Sequence, residues 1–437
     1  MKLLSVIIAS SCVLVSARPM RAQEARAIQS AEEQGWIQGK IVLGFCNEAA
    51  NDEVRAKLLD LGTGILRIGD NISSWTADWK FPPAETEDPL VDWARTNGIR
   101  VLYLLSYCPE WANAKTRAAL GAKIDPNRPW EACFYPPDDA GWWKEMCKRI
   151  MTKYKGKVFD YEVWNEPNSG FYPHAGEGMI QRYVAMCKAT YESAKEVDPN
   201  IKVWTCAPHN DFFGHWLGGC FAAGVAKYTD GILLHIYVGP QWMAAFDTWW
   251  TRYSGVAATL KKPDGTPYPL MISEYGYNRE EGEEPALRHA IHQTTVLAGS
   301  GRVEGATRFH FHHPQGDKSY ALFEAANLKD NPAARALRHL HKLFNGATYQ
   351  PLKGATISPG TEGYKVAADP GDPWMPDNKF YALRVTQKGG GKVIYAAAWR
   401  GRFDYGKGKT VDLPDQAVTI TLPGSYSKAE EIGPDGN

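Results

Sequence analysis

The chain of 437 residues carries no surplus of either charge: Lys+Arg and Asp+Glu both number 49. Without a basic surplus it lacks the surface that neutralises a phosphate backbone, so nucleic acid is not an expected partner. Without an acidic surplus, and with 44% hydrophobic residues, it is not a solvating, disordered chain either. Beyond the first residues no apolar run is long enough to cross a bilayer, so no membrane span is expected. Cysteine is scarce, at 8 residues, and no CxxC pair offers zinc-ligand spacing. No GxGxxG follows the first β-rich run, which weakens a dinucleotide-binding sheet. Long-period repeats and low-complexity linkers are also missing. Aromatic residues, by contrast, are plentiful, with 16 Trp and 21 Tyr. Packing is their ordinary use, and exposed rings also suit the flat apolar faces of sugars.

The first 27 residues read as a signal peptide and a short lead. Lys2 supplies the positive start, and Leu3 to Ala17 is an apolar run too short to span a membrane. Val15-Ser16-Ala17 and Ala25-Arg26-Ala27 are candidate cleavage sites. The mature protein is therefore expected to be secreted or periplasmic. An odd set of cysteines then remains, with Cys108–Cys133 as a possible bridge and buried thiols elsewhere.

Residues 38–345 alternate short β-rich runs with amphipathic helical stretches. The expected strands are Ile41–Phe45, Gly64–Ile68, Arg100–Ser106, Val158–Trp164, Ile201–Thr205, Gly231–Ile236, Leu270–Ser273 and Ala306–Phe311. Eight such units predict an α/β fold, a parallel (β/α)₈ TIM barrel, over a doubly wound sheet. Asp138 and Asp139, after Pro136-Pro137, are placed to cap a helix. Past Phe344 the helical period vanishes. Runs such as Phe380–Val385, Lys392–Ala398 and Val418–Leu422 predict a small antiparallel β-sandwich over 346–437, with no chemistry of its own.

Reactive groups of such a barrel stand at the C-terminal ends of its strands. The fourth run ends Tyr161-Glu162-Val163-Trp164-Asn165-Glu166-Pro167-Asn168, and the seventh ends Ile272-Ser273-Glu274-Tyr275-Gly276. These strands face each other across a barrel, so Glu166 and Glu274 can converge on one substrate. Two convergent carboxylates are the minimum set for cleaving a glycosidic bond.

Trp164-Asn165-Glu166-Pro167-Asn168 resembles the acid/base motif of the clan A glycoside hydrolases, and Ser273-Glu274-Tyr275-Gly276 resembles their nucleophile segment. The likeness is strongest to family 39 and its relatives and covers about residues 38–345. It implies a retaining mechanism in which Glu274 is the nucleophile and Glu166 the acid/base. Glu166 must then start protonated, and Trp164 with the second negative charge is expected to favour that form. The likeness also implies that Arg67 pairs with the nucleophile and that Asn165 bonds the sugar 2-hydroxyl. His235 would lie near the acid/base and Tyr237 near the nucleophile. Trp111 would be a sugar platform. Independently of the likeness, the fifth run ends Cys206-Ala207-Pro208-His209-Asn210, which places His209 or Asn210 to reach the substrate. An ion pair with Glu162 or Asp70 is the alternative role for Arg67.

Strand eight departs from the family, with Arg308-Phe309-His310-Phe311-His312-His313 where a tryptophan is common. No carboxylate or cysteine stands beside these histidines at ligand spacing, so no metal is expected and His310 is a candidate substrate contact. No cofactor is needed, since both catalytic groups are carboxyls. The expected partner is a carbohydrate substrate. A barrel that binds polysaccharide without cutting it, or a glycosidase of another clan A family, are the alternatives. Sugar, linkage and oligomeric state stay open at this stage.

Overall fold

The computed structural model describes residues 2–8, 41–46, 51–69, 72–74, 77, 84–237, 243–278, 282–299, 303–309, 320–323, 329–358, 374–376, 379–399, 402–404, 409–411, 419–426 and 428–432. Eight parallel strands close into a barrel in sequence order: Val42–Cys46, Ile65–Gly69, Arg100–Leu105, Asp160–Val163, Lys202–Thr205, Gly231–Tyr237, Leu270–Gly276 and Val303–Phe309. The last strand pairs with the first, Gly305 to Val42 through Phe309 to Cys46. All eight expected strands are present, and their ends differ from expectation by a few residues. The sixth and seventh run further, to Tyr237 and Gly276, because their ladder continues through His235–Glu274 to Tyr237–Gly276.

These strands are near-continuous apolar runs because both of their faces are buried. Outward residues such as Leu66, Ile68 and Tyr103 join the helices in one large core. Inward residues form a separate plug: Ile65, Leu102, Trp204, Ala207, Leu233 and Met271. Gly231 makes room for it, since a Cβ there would stand 2.3 Å from the Trp204 ring. Side chains alternate along a strand, so two residues beyond the plug the inward positions hold Arg67, His235 and Ser273. Polar chemistry thus begins where the apolar plug ends.

Local caps start the helices. Asn51 accepts from the N–H of Val54 at 2.8 Å, and Asp139 from that of Gly141 at 2.8 Å. Asp138 caps a different helix than expected, accepting from the N–H groups of Lys115 and Thr116 at 3.0 and 2.6 Å. It thereby pins the inserted segment after the third strand against the start of the next helix.

At the barrel's other end the Asn345 amide accepts from the Leu43 N–H at 2.6 Å and donates to Gly62 O at 2.6 Å, tying the last helix to the first strand. Beyond it, Thr348–Pro351, Lys379–Thr386, Lys392–Trp399, Lys2–Ile8 and Lys428–Ile432 form a five-stranded sheet in that order. Its hairpin is antiparallel as expected, but Lys2–Ile8 runs parallel to both neighbours. The segment read as part of a leader is thus placed as an inner strand. Among the described residues no helix is long and apolar enough to cross a membrane.

Candidate active site

Glu166 follows the end of the fourth strand in an uncommon backbone state. Trp164 and Glu166 have φ of 64° and 44°, and at the end of the fifth strand Cys206 and Asn210 have 65° and 47°. Non-glycine residues adopt this left-handed region at a cost and keep it only where the surroundings over-determine it. Here they do. Trp164 is anchored by its N–H to Leu105 O at 3.0 Å and its indole to Phe171 O at 2.8 Å. The Asn168 side chain and the His209 backbone exchange two hydrogen bonds of 2.8 and 2.7 Å, which lock the two strand ends together.

Arg67 sits at the centre, 1% exposed. Its Nε and Nη2 donate to Glu162 Oε2 and Oε1 at 2.7 and 3.0 Å. Nη1 donates to Glu274 Oε1 at 2.6 Å, and Nη2 also reaches Asn165 Oδ1 at 2.9 Å. Arg67 therefore holds Glu162 and Glu274 at once, because a guanidinium has donors enough for two carboxylates and an amide. Tyr237 donates its hydroxyl to Glu274 Oε2 at 2.6 Å, so each oxygen of that carboxylate has a donor. Burial and the Glu274 charge push the phenol well above its ordinary range, which keeps it a donor.

Consecutive residues Ser273 and Glu274 both face this cluster. A register shift between the sixth and seventh strands, after Leu234, makes that possible. Ser273 Oγ donates to Glu162 Oε1 at 3.1 Å and lies 3.0 Å from His235 Nε2. His235, with 0% exposure, touches Glu166 Oε1 through Nδ1 at 3.0 Å.

Glu166 has a second histidine. His209 Nδ1 lies 3.0 Å from the same Oε1, and Ser169 Oγ donates to Oε2 at 3.3 Å. The tautomer of His209 follows from its neighbour. Asn210 Oδ1 accepts from the Tyr237 N–H at 2.8 Å, which turns Nδ2 toward His209 Nε2 at 3.0 Å. Nε2 must accept there, so Nδ1 carries the hydrogen and donates to Glu166.

This overturns the expected setting of Glu166. Trp164 does not cover the carboxyl. Its ring packs among Tyr107, Trp143 and Tyr172. Burial alone would raise the Glu166 pKa, but the hydrogen bonds of His209 and His235 and the charge of His235 outweigh it and hold the carboxyl well below the usual range. Glu162 is lowered in the same way, burial being outweighed by the charge of Arg67 and by His235. For His235, burial lowers the pKa, yet Glu274, Glu162 and Glu166 together raise it to about 9.

The carboxylates at the ends of strands four and seven, with a histidine between them, form one compact group. One side-chain nitrogen or oxygen from each of Glu166, His235 and Glu274 lies within 4.8 Å of those of the other two. No family model matches the sequence. The structure, however, aligns with a family 39 glycoside hydrolase from Bacteroides cellulosilyticus at 15% identity and TM-score 0.57, over 80% of this chain and 73% of that one. The chain shares the fold of family 39 glycoside hydrolases. A monomeric β-xylosidase from Caulobacter crescentus aligns at 16% identity and TM-score 0.55, over 82% and 76% of the two chains. The family 39 enzyme of Xanthomonas axonopodis pv. citri does so at 17% and 0.51, over 79% and 75%.

Within this family 39 fold, Arg67, Asn165, Glu166, His209, His235, Tyr237 and Glu274 are brought into one hydrogen-bonded cluster. Trp111 stands 44% exposed, edge-on to Trp142 at 5.4 Å between centroids. His310 lies outside the described residues. Sequence reasoning assigned no site role to Ser273 or Tyr107, whose hydroxyl accepts from Asn165 Nδ2 at 3.1 Å, and took Glu162 only as a structural partner. The signal for Glu162 was present, since a carboxylate inside a barrel strand at the parity of the inward positions needs a buried partner. Cys108 and Cys133 are thiols, not a bridge. Their backbones are joined by a 3.0 Å hydrogen bond, but the Cys133 thiol turns to Trp130 O at 2.8 Å and that of Cys108 to Pro109 O at 3.6 Å.

Proposed function

We propose that the protein is a retaining glycoside hydrolase acting on an oligo- or polysaccharide, with Glu274 as nucleophile and Glu166 as acid/base. The observation that carries this reading is the spacing: carboxylate oxygens of Glu166 and Glu274 within 4.8 Å of each other. Nearest oxygens this close suit the roughly 5–5.5 Å between the carboxyls of retaining enzymes better than the roughly 6.5–9.5 Å with which inverting ones admit a water. The hydrogen bonds on Glu274 support its half of the assignment. Arg67 and Tyr237 each donate to one of its oxygens and so hold the carboxylate that attacks C1 in place. Asn165, held by Arg67 and Tyr107, stands beside Glu166 where a 2-hydroxyl would be bound.

One neighbour is described as a β-xylosidase, which makes aryl xylosides the first substrates to try. The anomeric configuration of the first-formed sugar, followed by NMR, tests the mechanism. Retention is expected, and inversion would exclude Glu274 as nucleophile. Glu166→Gln should slow substrates with poor leaving groups by about 10²–10⁴-fold and dinitrophenyl glycosides far less, since these leave without a proton. Equal losses on both would assign the proton to another group.

We further propose that the mature enzyme is exported. Cleavage after Ala17 or Ala27 would remove the strand Lys2–Ile8 from the five-stranded sheet. The intact mass of protein recovered outside the cytoplasm of an expressing cell decides this. A chain that begins after residue 17 is expected, and a full-length chain there would make Lys2–Ile8 a structural strand.

A further inference from the structure

Each proton between Glu162 and Glu166 can be placed from the hydrogen-bond geometry. Ser273 has one hydroxyl hydrogen, and it points to Glu162 Oε1 at 3.1 Å. Turning it to His235 Nε2 would leave its bare oxygen against a buried carboxylate. The Ser273 oxygen therefore accepts from His235, and Nε2 carries a hydrogen. One proton then lies between His235 Nδ1 and Glu166 Oε1, 3.0 Å apart. It belongs either to an imidazolium beside a carboxylate or to an imidazole beside a carboxylic acid.

Three features choose between these. Oε1 already accepts the Nδ1 hydrogen of His209, and an oxygen with that donor is a poor place for its own proton. Glu162 Oε1 stands 3.5 Å from Nε2 and Glu274 Oε2 stands 3.5 Å from Nδ1, so two more negative charges face the ring from strands four and seven. The ring is wholly buried, where water does not screen them. Among the described residues the other groups beside it are Ser273 and the phenol of Tyr237, which donates to Glu274, and the Arg67 charge is taken up by Glu162 and Glu274.

We propose that in the free enzyme the proton destined for the leaving group is held by His235 as an imidazolium beside an ionised Glu166, and that Glu162, through Ser273, is the positioning residue for this store. The inference rests on the glycosidase reading and adds where its acid proton resides. In the first half-reaction Glu274 bonds to C1 as the bond from C1 to the leaving oxygen breaks. That bond's electron pair stays on the oxygen, which takes one proton: the Nδ1 proton crosses to the ionised Glu166 and passes from its carboxyl to the oxygen, leaving Glu166 ionised again. His235 ends neutral. In the second, water adds to C1, the C1–Glu274 bond breaks with its electron pair returning to Glu274, and the water's spare proton passes through Glu166 to His235. The raised His235 pKa and the lowered one of Glu166 agree with this order. The pair titrates as a unit, so the basic limb of the rate profile belongs to both groups.

The test reads the imidazole directly. In ¹⁵N-histidine-labelled protein at pH 7, the His235 resonances, assigned by their loss in His235→Gln, should show both ring nitrogens protonated. They should titrate with a midpoint near 9. Ser273→Ala keeps every charge and should lower the midpoint by about one pH unit, and Glu162→Gln by more. A neutral His235 ring at pH 7 overturns the proposal, as does a midpoint unmoved in both variants. For delivery, His235→Gln should slow phenyl glycosides more than dinitrophenyl ones, and equal slowing excludes it. If the wild-type protein hydrolyses no glycoside, the glycosidase reading falls with the delivery step, while the resonances still decide where the proton sits.

Discussion

Glu274→Ala is expected to lower kcat by roughly 10⁴–10⁶-fold, the scale seen when a covalent nucleophile is removed. No glycosyl ester can form without the carboxylate. The substitution leaves a space between two donors, the Arg67 Nη1 and Tyr237 hydroxyl groups that each lie 2.6 Å from a Glu274 oxygen. A small anion suits that space. Added azide should therefore restore turnover of a dinitrophenyl glycoside and yield a glycosyl azide of configuration opposite to the substrate, because azide attacks once from the nucleophile's side. Near wild-type activity in the variant would end the assignment, and so would rescue that yields no azide adduct.

Arg67→Met should unfold the site as well as disable it. The guanidinium is almost fully buried and holds Glu162, Glu274 and Asn165 together. Removing one partner of a buried ion pair leaves the others uncompensated, at a cost of about 3–5 kcal/mol. The melting temperature should fall by roughly 10 °C, with turnover lost alongside it. Arg67→Lys should be intermediate, since one ammonium restores charge but cannot fork across Glu162 while reaching Glu274. The double variant Arg67→Met/Glu162→Gln should regain part of the stability and none of the activity, because removing both partners is gentler than stranding one. A double variant no more stable than the single would show that Glu162 is not the charge Arg67 compensates. Wild-type stability and turnover in Arg67→Met would deny it either role.

The sequence by itself determined the barrel, the order of its strands and the positions of Glu166 and Glu274 at the ends of the fourth and seventh. These are local properties. A strand buried on both faces is a short apolar run, a helix repeats its apolar residues every three to four, and a barrel of this kind presents its strand ends at one mouth. Tertiary structure alone decided the surroundings of Glu166. Whether Glu166 sits in an apolar pocket or between histidines depends on His209 and His235, which come from two other strand ends. That Ser273 faces the cluster along with Glu274 depends on a register shift against a neighbouring strand. The thiols of Cys108 and Cys133 likewise turn to separate carbonyls although their backbones touch. A carboxyl's charge state is set by donors and charges within a few ångströms, and those around Glu166 are gathered from segments tens of residues away, where spacing along the chain carries no record of them.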